Sequence, residues 1–232
     1  MRNKVLFLLV TIRIFLNSPS VEKVSSETKT MVAKNDEANV ILYATETDKK
    51  NGTYRGFEMK MAAGTKYFPF WMNVTNPTYA PIILYNDLNT DGRKDLIMVL
   101  TRGYGTGVLD SEVHILHKIQ TNMGENFVEV LVDNPLAVIL KNVKTKLTQH
   151  EVKVTIVDKT TVINIDKFQI PPEHLFDHIG FGSIIKYDVV DHQLVASIPA
   201  QITPAMFLGT IEITYEFKDQ MYQAKKIEFK TE

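Results

Sequence analysis

The sequence predicts a mainly β protein, with antiparallel strands in two β-rich halves flanking one amphipathic helix. Three observations carry this. Short apolar or alternating runs recur at 40–43, 54–61, 82–85, 96–100 and 112–116, and again at 152–157, 161–165, 183–190, 194–198, 210–217 and 224–229. Asn-Gly, Asp-Gly, Gly and Pro separate many of them, as strand boundaries require. Between the two sets, one segment alone has helical spacing.

That segment is 134–147. Asn134 supplies a capping side chain, Pro135 suits the first helical turn, and Leu136, Ile139, Leu140, Val143 and Leu147 recur on one helical face. The halves are then 40–133 and 148–232, as two domains or one continuous domain. A hairpin is expected at Asp191-His192-Gln193, pairing 184–190 with 194–198. No internal repeat is evident, so a full propeller is not expected.

The chain start has another character. Arg2 and Lys4 precede an apolar run from Val5 to Leu16, broken by Thr11 and Arg13. A charged stretch followed by a short apolar one is the pattern of a secretory signal, and it is too short and interrupted for a comfortable spanning helix. Residues 1–20 are therefore read as signal-like, and the polar residues 21–39 as a flexible linker. The expected location is secreted or extracytoplasmic. The alternative is a tether to the membrane through an uncleaved N-terminal segment.

Composition narrows the function classes. The 232 residues are 44% hydrophobic, enough for a real core, and the formal net charge is −1. No Lys/Arg cluster is interleaved with aromatics, so nucleic acid is not an expected partner. The absence of cysteine excludes disulfides, thiolate metal sites and a cysteine nucleophile.

The strongest chemical signal is Asp87-Leu-Asn89-Thr-Asp91-Gly92-Arg93-Lys-Asp95. A hard cation such as Ca²⁺ takes six to eight oxygens, and a loop turning at glycine can aim side-chain oxygens from alternate positions and a backbone carbonyl two residues on. Asp87, Asn89, Asp91 and Asp95 are the candidate side-chain ligands, and Arg93 the candidate carbonyl. An EF-hand is excluded, because its twelfth position falls on Met98 and both flanks read as strands. The competing reading is an ordinary Asp-Gly turn.

With the apolar run 97–100, Gly103-Tyr-Gly105-Thr-Gly107 and the run 112–116, this loop resembles the FG-GAP or VCBS-type repeats of integrin-like β-propellers. The resemblance spans about 35 residues, 82–117, in a single copy. It implies a strand-loop-strand calcium site formed by those same five residues, and more weakly an adhesive or scaffolding role.

Other candidates are less specific. The Gly103–Gly107 segment lacks phosphate-loop spacing and reads as a turn or bulge. His114 and His117 fall on opposite faces of a predicted strand, His174 and His178 lie four apart, and surface histidines are expected for both pairs. Tyr67-Phe-Pro-Phe-Trp71 reads as core packing, with a sugar-stacking or partner-anchoring platform as the alternative. Asn51 and Asn73 begin formal glycosylation sequons. No catalytic constellation can be named.

The expectation is an exported, non-enzymatic protein with one structural calcium ion, acting as a binding or structural module toward an extracellular protein or glycan. An exported hydrolase or carbohydrate-active protein with structural calcium is the alternative.

Overall fold

The computed structural model describes residues 29–122 and 124–231; the signal-like segment and the linker up to residue 28 lie outside them. The first layer is a four-stranded antiparallel meander, β1 (Thr30–Asn35), β2 (Val40–Asp48), β3 (Thr53–Met61) and β4 (Gly64–Val74). β1 corrects the linker reading for residues 30–35. Thr30, Met31 and Lys34 are exposed as in a tether, yet Val32 and Ala33 pack against the first core and the backbone pairs with β2 from Thr30↔Ala44 to Asn35↔Val40. An edge strand with one free side can carry such a composition.

The second layer begins with β5 (Ile82–Asn86), β6 (Asp95–Gly105), β7 (Val108–Thr121) and β8 (Gly124–Val132). β6 is buried on both faces and its side chains alternate between two cores. Leu96, Met98 and Leu100 join Leu42, Phe57, Met59 and Trp71 of the first layer. Ile97 and Val99 join Ile115, Ile198, Ile211 and Ile213 on the other side. Burying each such side chain contributes about 1.5–3 kcal/mol, so β6 is the seam of the molecule.

Helix α1 (Pro135–Asn142) follows, capped as expected by Asn134, whose Oδ1 accepts from the Leu136 and Ala137 N–H groups. It stops five residues before the predicted end. Val143 is already extended and opens β9 (Val143–Leu147), which pairs with β10 (Glu151–Ile156) and through it with β11 (Lys159–Asn164). Positions 143 and 147 share a face in a helix and in a strand alike, so their spacing could not decide between the two.

β12 (Ile184–Val190), β13 (Gln193–Thr203), β14 (Met206–Lys218) and β15 (Met221–Thr231) then complete an eight-stranded sheet in the order β12-β13-β14-β15-β8-β7-β6-β5. Most neighbours are antiparallel. Two short parallel contacts, β15 with β8 and β12 with β7, join C-terminal strands to the earlier ones. The expected hairpin is present: Val190 pairs with Gln193, and the connecting Asp191 and His192 both have positive φ. This is the backbone signature of a tight type I′ turn. Among the described residues, no helix is long and apolar enough to cross a membrane.

Candidate metal centre

The acidic loop joins β5 to β6, with Asp95 as the first residue of β6. Two left-handed residues, Thr90 at φ 59° and Gly92 at φ 84°, fold it back on itself. A Cβ on Gly92 would meet nothing within 4 Å, so glycine serves the backbone angle there, not space.

The loop's polar side chains face its own amides. Asp87 accepts from the Asp91 N–H at 3.2 Å and the Gly92 N–H at 3.0 Å. Asn89 Oδ1 also accepts from the Asp91 N–H, at 3.1 Å, and Asp91 Oδ1 from the Arg93 N–H at 2.8 Å. The Arg93 guanidinium donates to Asp91 Oδ2 at 3.0 Å, and this bond holds the Asp91 carboxyl below its usual range.

Asp95 differs from the others. It is fully buried, Oδ2 accepting from the Leu88 N–H at 3.3 Å and Oδ1 from the Lys118 N–H at 3.2 Å. Burial pushes its pKa up to about 6, the two N–H bonds pull it down, and the charges of Asp91 and Asp87 raise it further. Among the described residues no Lys or Arg forms an ion pair with it. The nearest titratable nitrogen is His117 Nε2, 4.0 Å from Oδ2.

His117 ties the loop to the far end of the chain. Its Nε2 lies 2.8 Å from the Tyr222 hydroxyl, and its Nδ1 lies 3.4 Å from Asn89 Nδ2. With Asn89 Oδ1 engaged by an N–H, the amide nitrogen is the donor to Nδ1, which places the ring proton on Nε2. Burial lowers the His117 pKa, so the ring is neutral at pH 7. Phe217 packs edge-on against it at 4.6 Å. A further tie comes from the β12–β13 turn, where His192 Nδ1 lies 2.7 Å from Asn86 Oδ1 at the loop's start.

The predicted residues Asp87, Asn89, Asp91, Arg93 and Asp95 thus lie in one compact turn. Among the described residues, however, no three His, Cys, Asp or Glu side chains are grouped as a metal ion would require. The carboxylates keep lone pairs beyond those used by the amides, since an ionised carboxylate offers about four acceptor sites. His117 was expected at the surface and is instead 7% exposed. Its strand position gives the reason: Ile115 and His117 share the face that packs on β14 and β15, while His114 faces β4. Tyr222 carries no signal of its own in the sequence.

The remaining candidates resolve simply. The glycine segment is a bulge and turn, with a register shift between Thr101 and Gly103 and Gly105 paired to Val108. Asn73 is fully buried, donating to the Val74 and Tyr79 carbonyls and accepting from the Thr101 N–H. The folded protein cannot present it for glycosylation.

No family model, curated protein or solved structure matches the chain.

Proposed function

We propose that this chain is an exported, calcium-stabilised β protein, acting as a binding or structural module outside the membrane. The acidic loop would hold one Ca²⁺ through Asp87, Asn89, Asp91 and Asp95 and the carbonyl of Arg93. The observation that carries the reading is Asp95, a wholly buried carboxylate met by two backbone N–H groups, at the end of a turn holding two more carboxylates. A divalent cation would offset that concentration of negative charge, and its binding would favour the ionised form of Asp95. The FG-GAP-like spacing supports the same ligand set, and the charged-then-apolar segment 2–16 supports export.

The role of the ion is structural. Extracellular calcium modules bind at about 10⁻⁴ to 10⁻³ M, so millimolar calcium would stabilise the fold by about 0.4–1.4 kcal/mol. By ordering the loop, the ion would also hold the β5–β6 connection against His117 and the β12–β13 turn.

Thermal melts with calcium and with chelator test this. The wild-type melting temperature should rise with calcium, and Asp87→Ala should remove that dependence. Equal melting temperatures in both conditions would sink the reading.

A further inference from the structure

β4 and β3 fall out of register in the middle of their pairing. Met72 pairs with Arg55 and Phe68 with Phe57, so residues 69–71 of β4 stand against Gly56 alone. Such bulges re-aim side chains. Gly56 is held at φ 59°, and a Cβ there would lie 2.6 Å from Thr45 Oγ1 and 2.9 Å from the Tyr67 hydroxyl. Glycine is therefore needed to let Tyr67 lie across this point.

The bulge divides the aromatic segment. Trp71 turns inward, stacked on Phe68 at 3.8 Å and on the His114 ring at 4.4 Å. Phe70 turns outward and is 95% exposed, with Tyr67 at 55%. Sequence alone pointed to core packing for all of them, and only part of the segment packs. A fully exposed phenylalanine leaves its whole apolar ring against water, which makes it a natural anchor for something that covers it.

Opposite these rings, β7 presents Glu112, His114 and Leu116 at alternate positions, and Glu129 of β8 pairs across from Leu116. Together they line a groove of 620 Å³, a size typical of small-ligand sites. His114 Nδ1 lies 2.7 Å from Glu129 Oε1, which orients the ring. Its Nε2 is buried, and no group among the described residues hydrogen-bonds it.

From these features we infer that the groove binds a neutral saccharide, one pyranose ring stacking its C–H face on Phe70 while its hydroxyls bond the Glu112 and Glu129 carboxylates. Charge argues for neutrality. The two carboxylates oppose an anion, and Lys66, which donates to the Phe127 carbonyl beside the groove, opposes a cation. Arg102, hydrogen-bonded to Asp110 at 3.0 Å, also lies 3.6 Å from Glu112 and offsets part of its charge. A cage for a quaternary cation is also missing, because both faces of Trp71 are already covered. The site is separate from the acidic loop and does not depend on calcium binding there.

Trp71 is the only tryptophan, so its fluorescence reports on this groove directly. The full chain is titrated with neutral oligosaccharides of glucose, mannose, xylose, galactose and N-acetylglucosamine, and separately with choline and a lysine-rich peptide. A saturable change is expected with at least one sugar. Phe70→Ala should weaken it by at least about fivefold, the order expected for truncating an aromatic anchor, at an unchanged melting temperature. Leu140→Ala, an equally simple truncation at an 85% exposed position on α1, should leave it intact. No response to any sugar overturns the inference. So does sugar binding that survives Phe70→Ala, or a response confined to choline or the basic peptide.

Discussion

The Tyr222 hydroxyl sits 2.8 Å from His117 Nε2, although 105 residues separate them in the chain. This bond fastens β15 to the centre of β7 beside the acidic loop. Both groups are buried, His117 at 7% exposure and Tyr222 at 1%. Removing the hydroxyl leaves the imidazole N–H unpaired in a site shut off from water. Tyr222→Phe should therefore destabilise the protein by about 1–3 kcal/mol in urea unfolding. The mutant should keep its fold, since the ring itself still fills the core.

Asp95 gives stability a definite pH dependence in the absence of calcium. Its folded-state pKa of about 6 lies above the ordinary 3.8, so the folded protein holds this proton more tightly than the unfolded chain. The resulting contribution is complete below about pH 4 and is lost as pH rises through about 6. It amounts to about 2–3 kcal/mol. His117 acts in the opposite sense: burial depresses its pKa, so its contribution is present above about pH 6.5 and lost as pH falls. Subtracting an Asp95→Asn curve from the wild-type curve, both in chelator, isolates the carboxyl. The difference should decline between pH 4 and 7, and a flat difference would contradict this account of Asp95.

Asn73 is a structural side chain despite opening a sequon. Asn73→Ala would strand the Thr101 N–H and remove a donor from two carbonyls, costing more than about 3 kcal/mol. In a glycosylating host, mass spectrometry of tryptic peptides should find Asn73 bare. Asn51 is the opposite case, an exposed residue of the β2–β3 turn where the backbone permits access.

How much of this was legible depended on the range of the interactions. The 96–100 run announced a strand because it is buried on both faces, and Asp191-His192 announced a hairpin because turns are local. The helix end was not readable, since Val143 and Leu147 fit either period. β4 escaped notice because its bulge at 69–71 breaks the alternation that marks a strand. In the loop, the ligand types were visible in order and spacing. The burial of Asp95 was not, because it follows from β6 lying between two cores. Nor was the His117–Tyr222 bond, which only the pairing of distant strands creates.

The most direct test of the central claim is a calorimetric calcium titration of the wild type and of Asp91→Ala at pH 7. Asp91 pairs with the exposed Arg93 at the loop's outer turn, so its loss should leave the fold intact. The account predicts one saturable site in the wild type, with a dissociation constant of about 10⁻⁴ to 10⁻³ M, and none in the mutant. A wild type that takes up no calcium, or a mutant that binds equally well, would reduce the loop to an ordinary turn and contradict the proposed role.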